Sequence, residues 1–278
     1  MMATVELVLV RHGQTLGNAK MDSPQDRERG DDRLTAQGET EAMQLGRDAT
    51  FVDAVAAVDA FVVSPLRRAL HTALVAMSTE QMARAREATG RSGPVVILLD
   101  HDLREVSRAQ RKGDSGGLFW RHRGTVLSQL RCDPALVKCL DDSRGRVVVD
   151  WNSGGDAMVN DRIWWDHDPA TGCCTVDYWD AHWRAHAMIE ALRERAESQG
   201  WKRICVVTHE NVIRSMVGVS GLPTASHLLC NVVRPSVVAS SSKRRSLDNC
   251  HHSTQPGTPG LPTTKAVPVD LVRHMQDH

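Results

Sequence analysis

A largely apolar run near the N-terminus, Val5–Val10, limits the possible folds more than any other feature of this chain. Its valines and leucines favour a β-strand, and the run stops abruptly at Arg11, His12 and Gly13. Strands that are apolar along their length are typical of sheets covered on both faces. In open α/β sheets the ligand crevice lies at the carboxyl ends of the strands. We therefore expect Arg11 and His12 to project into a crevice rather than into the core.

Similar apolar runs recur and predict further strands at residues 60–63, 94–99 and 203–208, with an edge strand at 231–238. Between them, apolar residues at helical spacing predict one helix carrying Ala42, Leu45, Ala49 and Val52, a second capped by Ser64 with Pro65 at its first position, and a third over 178–199. The alternation of strands and helices predicts an α/β fold with a mostly parallel sheet.

The chain of 278 residues is long enough for one sizeable α/β domain, which we place at residues 1–240. Apolar periodicity is poor over residues 106–180, so we interpret this stretch as an irregular lid insertion that covers the crevice. From residue 241 the composition changes to Ser, Pro, Thr, Lys, Arg and His. This composition predicts a disordered, low-complexity tail over 241–278.

Charge and cysteine content exclude several classes of partner. Lys plus Arg equals Asp plus Glu at 34 each, so no global charge favours nucleic acid or an anionic membrane. No apolar run approaches the length of a membrane span, and the N-terminus lacks the basic region of a signal peptide. The seven cysteines are odd in number and scattered, which indicates a reducing, cytoplasmic compartment. We therefore expect neither nucleic acid nor a membrane as a partner, and the oligomeric state stays open.

Two arginines, two histidines and a carboxylate follow predicted strands, and together they suit a transferring phosphoryl group. Arginines bind phosphoryl oxygens through charge-assisted hydrogen bonds. A neutral imidazole can attack phosphorus, and a carboxylic acid can protonate the leaving oxygen. No nucleotide-binding loop and no metal-ligand spacing is present, so we expect neither a cofactor nor a metal.

Five motifs in fixed order carry a family resemblance. They are RHGQTLGN at 11–18, LTAQG at 34–38, SPLRRALHT at 64–72, LRE at 103–105 and VVTH at 206–209. In this order they resemble the signatures of the histidine phosphatase superfamily, also called phosphoglycerate mutase-like. The resemblance implies a three-layer α/β/α sandwich. Trp164 and Trp165 are further similar to a eukaryotic branch of phosphoglycerate mutase-like proteins.

The resemblance also implies roles for individual residues. His12 would be the phosphorylated nucleophile and Glu105 the proton donor. The rest of the phosphate pocket would be formed by Arg11, Arg68 and His209. Spacing alone does not choose between the adjacent arginines 67 and 68, whereas the motif selects the second. The remaining implied contacts to phosphate or substrate come from Thr15 and Asn18.

Alternatives to these assignments remain at two places. Three other carboxylates near the third strand, Asp100, Asp102 and Asp114, are alternative proton donors. His209 is followed by Glu210 where many members of the family have a glycine. A carboxylate at that position either repels an anionic substrate or points to solvent.

The function predicted from these residues is a metal-independent phosphomonoester hydrolase that acts on a small phosphorylated metabolite through a phosphohistidine at His12. One alternative is a phosphotransferase of the phosphoglycerate mutase type. It would need further cations for a second anion, and the candidates are Arg108, Arg111, Lys112, Arg121 and Arg123. The other alternative is a phosphate-binding protein with little catalytic activity.

Overall fold

The structure of the chain is a computed structural model. It describes residues 4–19, 31–105, 124–154, 158, 178–232 and 269–270. The predicted nucleophile, proton donor, arginines and second histidine all lie within these ranges.

Seven strands form a single sheet in the part of the chain that the structure describes. They are β1 (Val5–Arg11), β2 (Ala60–Val63), β3 (Val95–Leu99), β4 (Val147–Asp150), β5 (Arg203–Thr208), β6 (His227–Val232) and β7 (Val269–Asp270). Their order across the sheet is β4-β3-β2-β5-β1-β6-β7. Strands β1 to β5 are parallel to their neighbours in this group, whereas β6 is antiparallel to β1 and β7 is antiparallel to β6. The mostly parallel sheet is therefore confirmed.

The helices alternate with the strands along the chain. They are α1 (Ala36–Leu45), α2 (Ala49–Ala56), α3 (Arg67–Met77), α4 (Glu80–Ala88), α5 (Leu127–Arg131), α6 (Pro134–Asp142), α7 (Tyr178–Gln199) and α8 (Glu210–Val217). One turn of 3₁₀ helix, His101–Leu103, follows β3. Among the described residues, no helix combines the length and the apolar character needed to cross a bilayer.

Helices cover both faces of the sheet and give the molecule three layers. Successive residues of a strand point to opposite faces, so β1 contributes Val8 and Val10 to one core and Leu7 and Leu9 to the other. Residues of α1 to α6 close the first core, and residues of α7 and α8 close the second. The α/β/α sandwich is therefore confirmed, and β1 is apolar on both faces because both faces are buried.

The first predicted helix is divided in two. The sequence predicts one helix through Ala42 and Val52, but α1 ends at Leu45 and α2 begins at Ala49. The Asp48 carboxylate accepts a hydrogen bond from the Phe51 amide at 2.8 Å and caps the second helix. An aspartate that starts a new helix thus overrides an apolar spacing that would have continued the old one.

The helix after β2 begins later than predicted. The sequence places Ser64 at its N-cap and Pro65 at its first position, but α3 starts at Arg67 with Leu66 as the N-cap residue. The Leu66 side chain makes no capping hydrogen bond. The hydroxyl of Ser64 has a different partner, which belongs to the site described below.

The predicted lid insertion over 106–180 is regular in its middle part. Residues 127–150 form α5, α6 and β4, and β4 extends the sheet beside β3. The stretches 106–123 and 159–177 lie outside the described residues, so a lid over the crevice stays a prediction. In the tail, Val269–Asp270 pair with β6, a short strand that the sequence did not predict. The rest of 241–278 also lies outside the described residues.

Candidate active site

The register of two neighbouring strands brings the two motif histidines together. Arg11 of β1 pairs with Thr208 of β5, and the next residues along the chain are His12 and His209. The backbone amide of His12 donates to the Thr208 carbonyl at 3.1 Å. The two imidazole ring centres are 5.0 Å apart, with ring planes inclined at 60°. Both side chains are buried, at 3% and 0% exposure.

Glu105 joins this pair from the segment just after the 3₁₀ turn that follows β3. The Thr208 hydroxyl donates to the Leu103 carbonyl at 2.7 Å, which fastens the 3₁₀ turn to β5. One nitrogen of each histidine and one carboxylate oxygen of Glu105 all lie within 4.8 Å of one another. The structure therefore brings the predicted nucleophile, proton donor and second histidine into one cluster.

The alternative proton donors are placed differently. The Asp100 carboxylate accepts a hydrogen bond from the Asp102 amide at 3.0 Å and caps the 3₁₀ turn. Asp102 forms an ion pair with Arg104 at 3.2 Å. Burial raises the pKa of Asp100 above its ordinary value, but neither aspartate belongs to the cluster that holds the histidines. The third alternative, Asp114, lies outside the described residues.

The hydrogen bonding of His12 fixes which ring nitrogen carries the proton. Its Nδ1 lies 2.7 Å from the carbonyl oxygen of Gly13. A carbonyl oxygen can only accept, so Nδ1 must carry a hydrogen. In the neutral ring the lone pair is then on Nε2. This is the tautomer that a nucleophilic imidazole needs if Nε2 is to attack.

Ser64 is a member of the site that the sequence did not reveal. Its Oγ lies 2.9 Å from Nε2 of His209, and both side chains are fully buried. The position follows from the sheet, because β2 is parallel to β5 and the Ser64 amide donates to the Val207 carbonyl at 2.9 Å. Its place directly after a strand, like that of His12 and His209, is the signal that could have identified it.

Arg11 is held by the first residue of α8 and by the segment that follows this helix. One of its terminal nitrogens, Nη1, donates to the Leu222 carbonyl and forms an ion pair with Glu210 at 2.9 Å. The other carboxylate oxygen of Glu210 accepts from the Gly221 amide at 3.1 Å. Neither expectation for Glu210, repulsion of a substrate or a free position in solvent, described this contact.

The two adjacent arginines of α3 have different surroundings. Arg67 forms an ion pair with Asp133 at 3.2 Å. Arg68 is 4% exposed, and its charge lowers the pKa of the buried Asp31. Burial outweighs that effect and raises the pKa of Asp31 to about 6. This carboxyl also accepts from the Arg67 amide at 2.8 Å and from the Thr125 hydroxyl at 2.7 Å.

Two motif glycines allow the loop after β1 to touch the start of α1. A Cβ atom on Gly13 would lie 2.6 Å from the Gly38 carbonyl oxygen, and one on Gly38 would lie 2.1 Å from the Gln14 carbonyl oxygen. No side chain fits such a close backbone approach. The Gly13 amide donates to the Thr72 hydroxyl at 2.9 Å, which ties the same loop to α3.

Thr15 and Asn18, the predicted substrate contacts, bond to each other. The Thr15 hydroxyl donates to the Asn18 side-chain oxygen at 3.0 Å. Thr15 is 3% exposed, whereas Asn18 is exposed. The hydrogen bonds between these two residues close a turn after the histidine loop, so their contact with a substrate stays a prediction.

His12, Glu105 and His209 also have the donor types of a metal site. Arg11 directly precedes His12, and Arg68 lies in the first turn of α3, which follows β2. The donor set of the cluster admits a metal, whereas the arginines that the motifs assign to the phosphate pocket would favour an anion. A phosphoryl group at this position therefore stays a prediction from the motifs.

A groove of about 830 Å³ lies elsewhere, between α1, α3, α4 and α6. Its walls carry charges of both signs, with Arg47, Arg84, Lys138 and Arg146 beside Glu39, Glu80 and Asp142. None of the predicted catalytic residues lines it. We therefore place the chemistry at the strand ends rather than in this groove.

Residues 7–110 match the family model of the histidine phosphatase superfamily (branch 1). The matched segment contains the first four motifs and ends before His209. The resemblance to this superfamily is thus supported over that part of the chain, whereas the eukaryotic branch stays a prediction. A comparison with curated proteins gives no match.

Solved structures similar to this chain include a protein described as mycobacterial hydrolase 1, with 20% identity and a TM-score of 0.46, covering 83% of this chain and 95% of the other. A phosphoglycerate mutase from Bacillus anthracis has 18% identity and a TM-score of 0.46, with coverage of 83% and 88%. A mycobacterial glucosyl-3-phosphoglycerate phosphatase has 19% identity and a TM-score of 0.43, with coverage of 81% and 90%.

Proposed function

We propose that this protein is a histidine phosphatase that hydrolyses phosphomonoesters through a phosphohistidine intermediate on His12. The observation that carries the proposal is the tautomer of His12. Its Nδ1 proton is committed to the Gly13 carbonyl at 2.7 Å, which directs the lone pair to Nε2. The adjacent His209 ring and the Glu105 carboxylate support it, because they supply a second imidazole and an acid at the same point.

The reaction has two steps. In the first, Nε2 of His12 attacks phosphorus, the bond from phosphorus to the ester oxygen breaks, and Glu105 as an acid gives its proton to that oxygen. In the second, Glu105 as a carboxylate takes a proton from water. The water oxygen attacks phosphorus and the phosphorus–nitrogen bond breaks, which releases phosphate and restores His12.

The arginines and the second histidine serve both steps. Arg11 and Arg68 bind the phosphoryl oxygens through charge-assisted hydrogen bonds. His209 stabilises the charge on those oxygens, and Ser64 orients its ring at 2.9 Å. Donors that are already placed when the charge develops stabilise the transition state without reorganisation. This chemistry needs no metal and no cofactor.

The proposed substrate is a small phosphorylated metabolite, and neither nucleic acid nor a membrane is proposed as a partner. We also propose a cytoplasmic location. Among the described residues, Cys132, Cys139, Cys205 and Cys230 are free cysteines, which fits a reducing compartment.

The experiment is a screen of an aryl phosphate and of sugar phosphates, phosphoglycerates, nucleotides and phosphopeptides against the full chain. We expect phosphate release from at least one substrate. In His12→Ala the rate of this release should fall by about 10³-fold or more. His71→Ala is the matched control, because His71 is also a buried histidine, at 4% exposure, but lies outside the cluster. Reactions with labelled substrate that are quenched in alkaline denaturant should leave a phosphate on the protein that is stable to base, released by acid and absent from His12→Ala.

Two outcomes would contradict the proposal. Isomer interconversion without net phosphate release would identify a mutase instead. Phosphate binding without turnover of any substrate would identify a binding protein.

Orthovanadate, which mimics five-coordinate phosphorus, should inhibit hydrolysis, whereas chelators should have no effect.

A further inference from the structure

The guanidinium of Arg11 makes its hydrogen bonds through one of its terminal nitrogens, Nη1. Its Nη1 carries two hydrogens, and both have acceptors, the Leu222 carbonyl and the Glu210 carboxylate. Its Nε is buried and has no hydrogen-bond partner among the described residues. A buried unpaired donor of this kind is uncommon in folded proteins and calls for an acceptor. The edge formed by Nε and Nη2 is therefore the edge available to a bound anion.

Glu210 reaches this arginine because of the strand register. It is the residue after His209, at the first turn of α8, and β5 lies directly beside β1. Its two oxygens connect Arg11 with the Gly221 amide. Gly221 has a φ of 76°, a left-handed conformation that suits glycine. The carboxylate thus links the phosphate-binding arginine to a turn that holds it.

We propose that Glu210 is a positioning residue that acts through Arg11. By holding Nη1, it fixes the plane of the guanidinium so that the Nε and Nη2 edge faces the phosphoryl oxygens. The bidentate geometry of arginine makes such orientation matter, because two donors must meet two oxygens at once. The inference rests on the proposed function, since it takes the anion to be a phosphoryl group.

An ion pair of the same type at the other end of the same strands provides a control. Glu6 of β1 pairs with Arg203 of β5, and both side chains are partly exposed, as in the Arg11 pair. This pair lies at the amino ends of the strands, whereas the histidines follow the carboxyl ends. Glu6→Gln therefore removes an equivalent charge without touching the site.

The test is calorimetric titration with inorganic phosphate and with orthovanadate, which needs no turnover. The variants are Glu210→Ala, Glu210→Gln, Arg11→Ala and the double variant of Arg11→Ala with Glu210→Ala, beside Glu6→Gln. We expect Glu210→Ala to weaken binding by about tenfold in the chain with Arg11 and by less than twofold in the Arg11→Ala background. Glu210→Gln should recover part of the binding, because its single amide oxygen still accepts from Nη1 whereas its amide nitrogen cannot accept from the Gly221 amide.

Three outcomes would overturn the inference. They are an unchanged affinity in Glu210→Ala, an equal loss with and without Arg11, and a glutamine variant as impaired as the alanine variant. An equal loss in both backgrounds would indicate a structural role that does not pass through the arginine. Failure of the unaltered protein to bind either anion would instead overturn the proposed function, so the two failures are distinguishable.

Discussion

Strands β1 and β5 carry an arginine–glutamate ion pair at each end, and the two ends differ in what the arginine has left to bind. At the amino end, Arg203 pairs with Glu6, donates to the Ala54 carbonyl at 3.2 Å and has its own amide bonded to Asp59 at 2.9 Å. At the carboxyl end, Arg11 keeps a buried Nε without a partner among the described residues. The pair at the amino end therefore connects the two strands, whereas the arginine at the carboxyl end has a buried donor left for a ligand.

The carboxyl end also buries more charge and polarity. His12, Arg68, His209 and Asp31 are all at most 5% exposed. Burial of such groups costs free energy unless each is paired. Proteins retain arrangements of this kind mainly where function requires them. We therefore expect substitutions at the carboxyl end to change activity, stability or both, and those at the amino end to change stability only.

The largest effect should come from adding a side chain at Gly38, where the backbone of the loop after β1 touches the start of α1. A Cβ on Gly38 would lie 2.1 Å from the Gln14 carbonyl oxygen. This oxygen belongs to the backbone, so moving it would cost considerable free energy. We expect Gly38→Ala to lower the free energy of unfolding by about 4 kcal/mol and to abolish activity.

Urea denaturation of Gly38→Ala and of Gly93→Ala provides the measurement. A Cβ on Gly93 would have no neighbour within 4 Å, so that variant should unfold like the unaltered protein. Equal stability of the two variants would show that the loop and helix separate easily.

The second effect concerns the charge buried at Asp31. Its folded pKa, about 6, lies above its ordinary value of 3.8, so the folded state binds the proton more tightly. Its contribution to stability is therefore full below about pH 4 and is lost as the pH rises through 6. Relative to Asp31→Asn, the unaltered protein should become less stable by about 3 kcal/mol between pH 4 and 7.5.

Urea titrations of both proteins across this pH range test the effect. The difference between the two removes the contribution of every other titrating group. A difference that is independent of pH would mean that the Arg68 charge compensates the burial of the carboxylate.

Much of the fold could be predicted because its signals are local. The apolar runs of β1, β2, β3 and β5 indicate strands whatever lies around them. The placement of His12 and His209 at strand ends also follows from the sequence once the strands are known. The short distance between these two histidines then follows from the neighbouring positions of β1 and β5 in the sheet.

The parts that could not be predicted depend on distant residues. In the sequence Ser64 resembles a helix cap. Its place directly after a strand makes it a candidate for the site, but that place alone does not show that β5 brings His209 within 2.9 Å of its hydroxyl. In the sequence Glu210 resembles an ordinary surface carboxylate, and only the fold shows that Arg11 lies beside it. The valine run at 147–149 indicates a short strand, but only the pairing of β4 with β3 shows that this strand extends the sheet.

The third effect tests Ser64 as the residue that orients His209. We expect Ser64→Ala to lower kcat by about 10-fold to 100-fold with little change in KM, since the ring loses its orientation but the arginines still bind phosphate. Ser143→Ala is the matched control, because Ser143 is also a buried serine, and its hydroxyl donates to the Leu140 carbonyl at 2.6 Å, far along the chain from the site.

Steady-state kinetics of both serine variants on the same substrate would show whether Ser64 acts through the orientation of His209. An equal fall in kcat would trace the loss to general destabilisation. A rise in KM alone would place Ser64 in substrate binding instead.

The smallest effect should come from the amino-end ion pair. Glu6→Gln breaks a pair in which the side chains of Glu6 and Arg203 are 35% and 28% exposed. Partly exposed ion pairs contribute at most about 1 kcal/mol, and Arg203 keeps its contacts with Ala54 and, through its backbone, with Asp59. We therefore expect a small loss in the free energy of unfolding, measured in urea, and unchanged affinity for phosphate. A change in phosphate affinity as large as that of Glu210→Ala would remove the distinction between the two strand ends, because it would show that any lost charge on β1 alters the site.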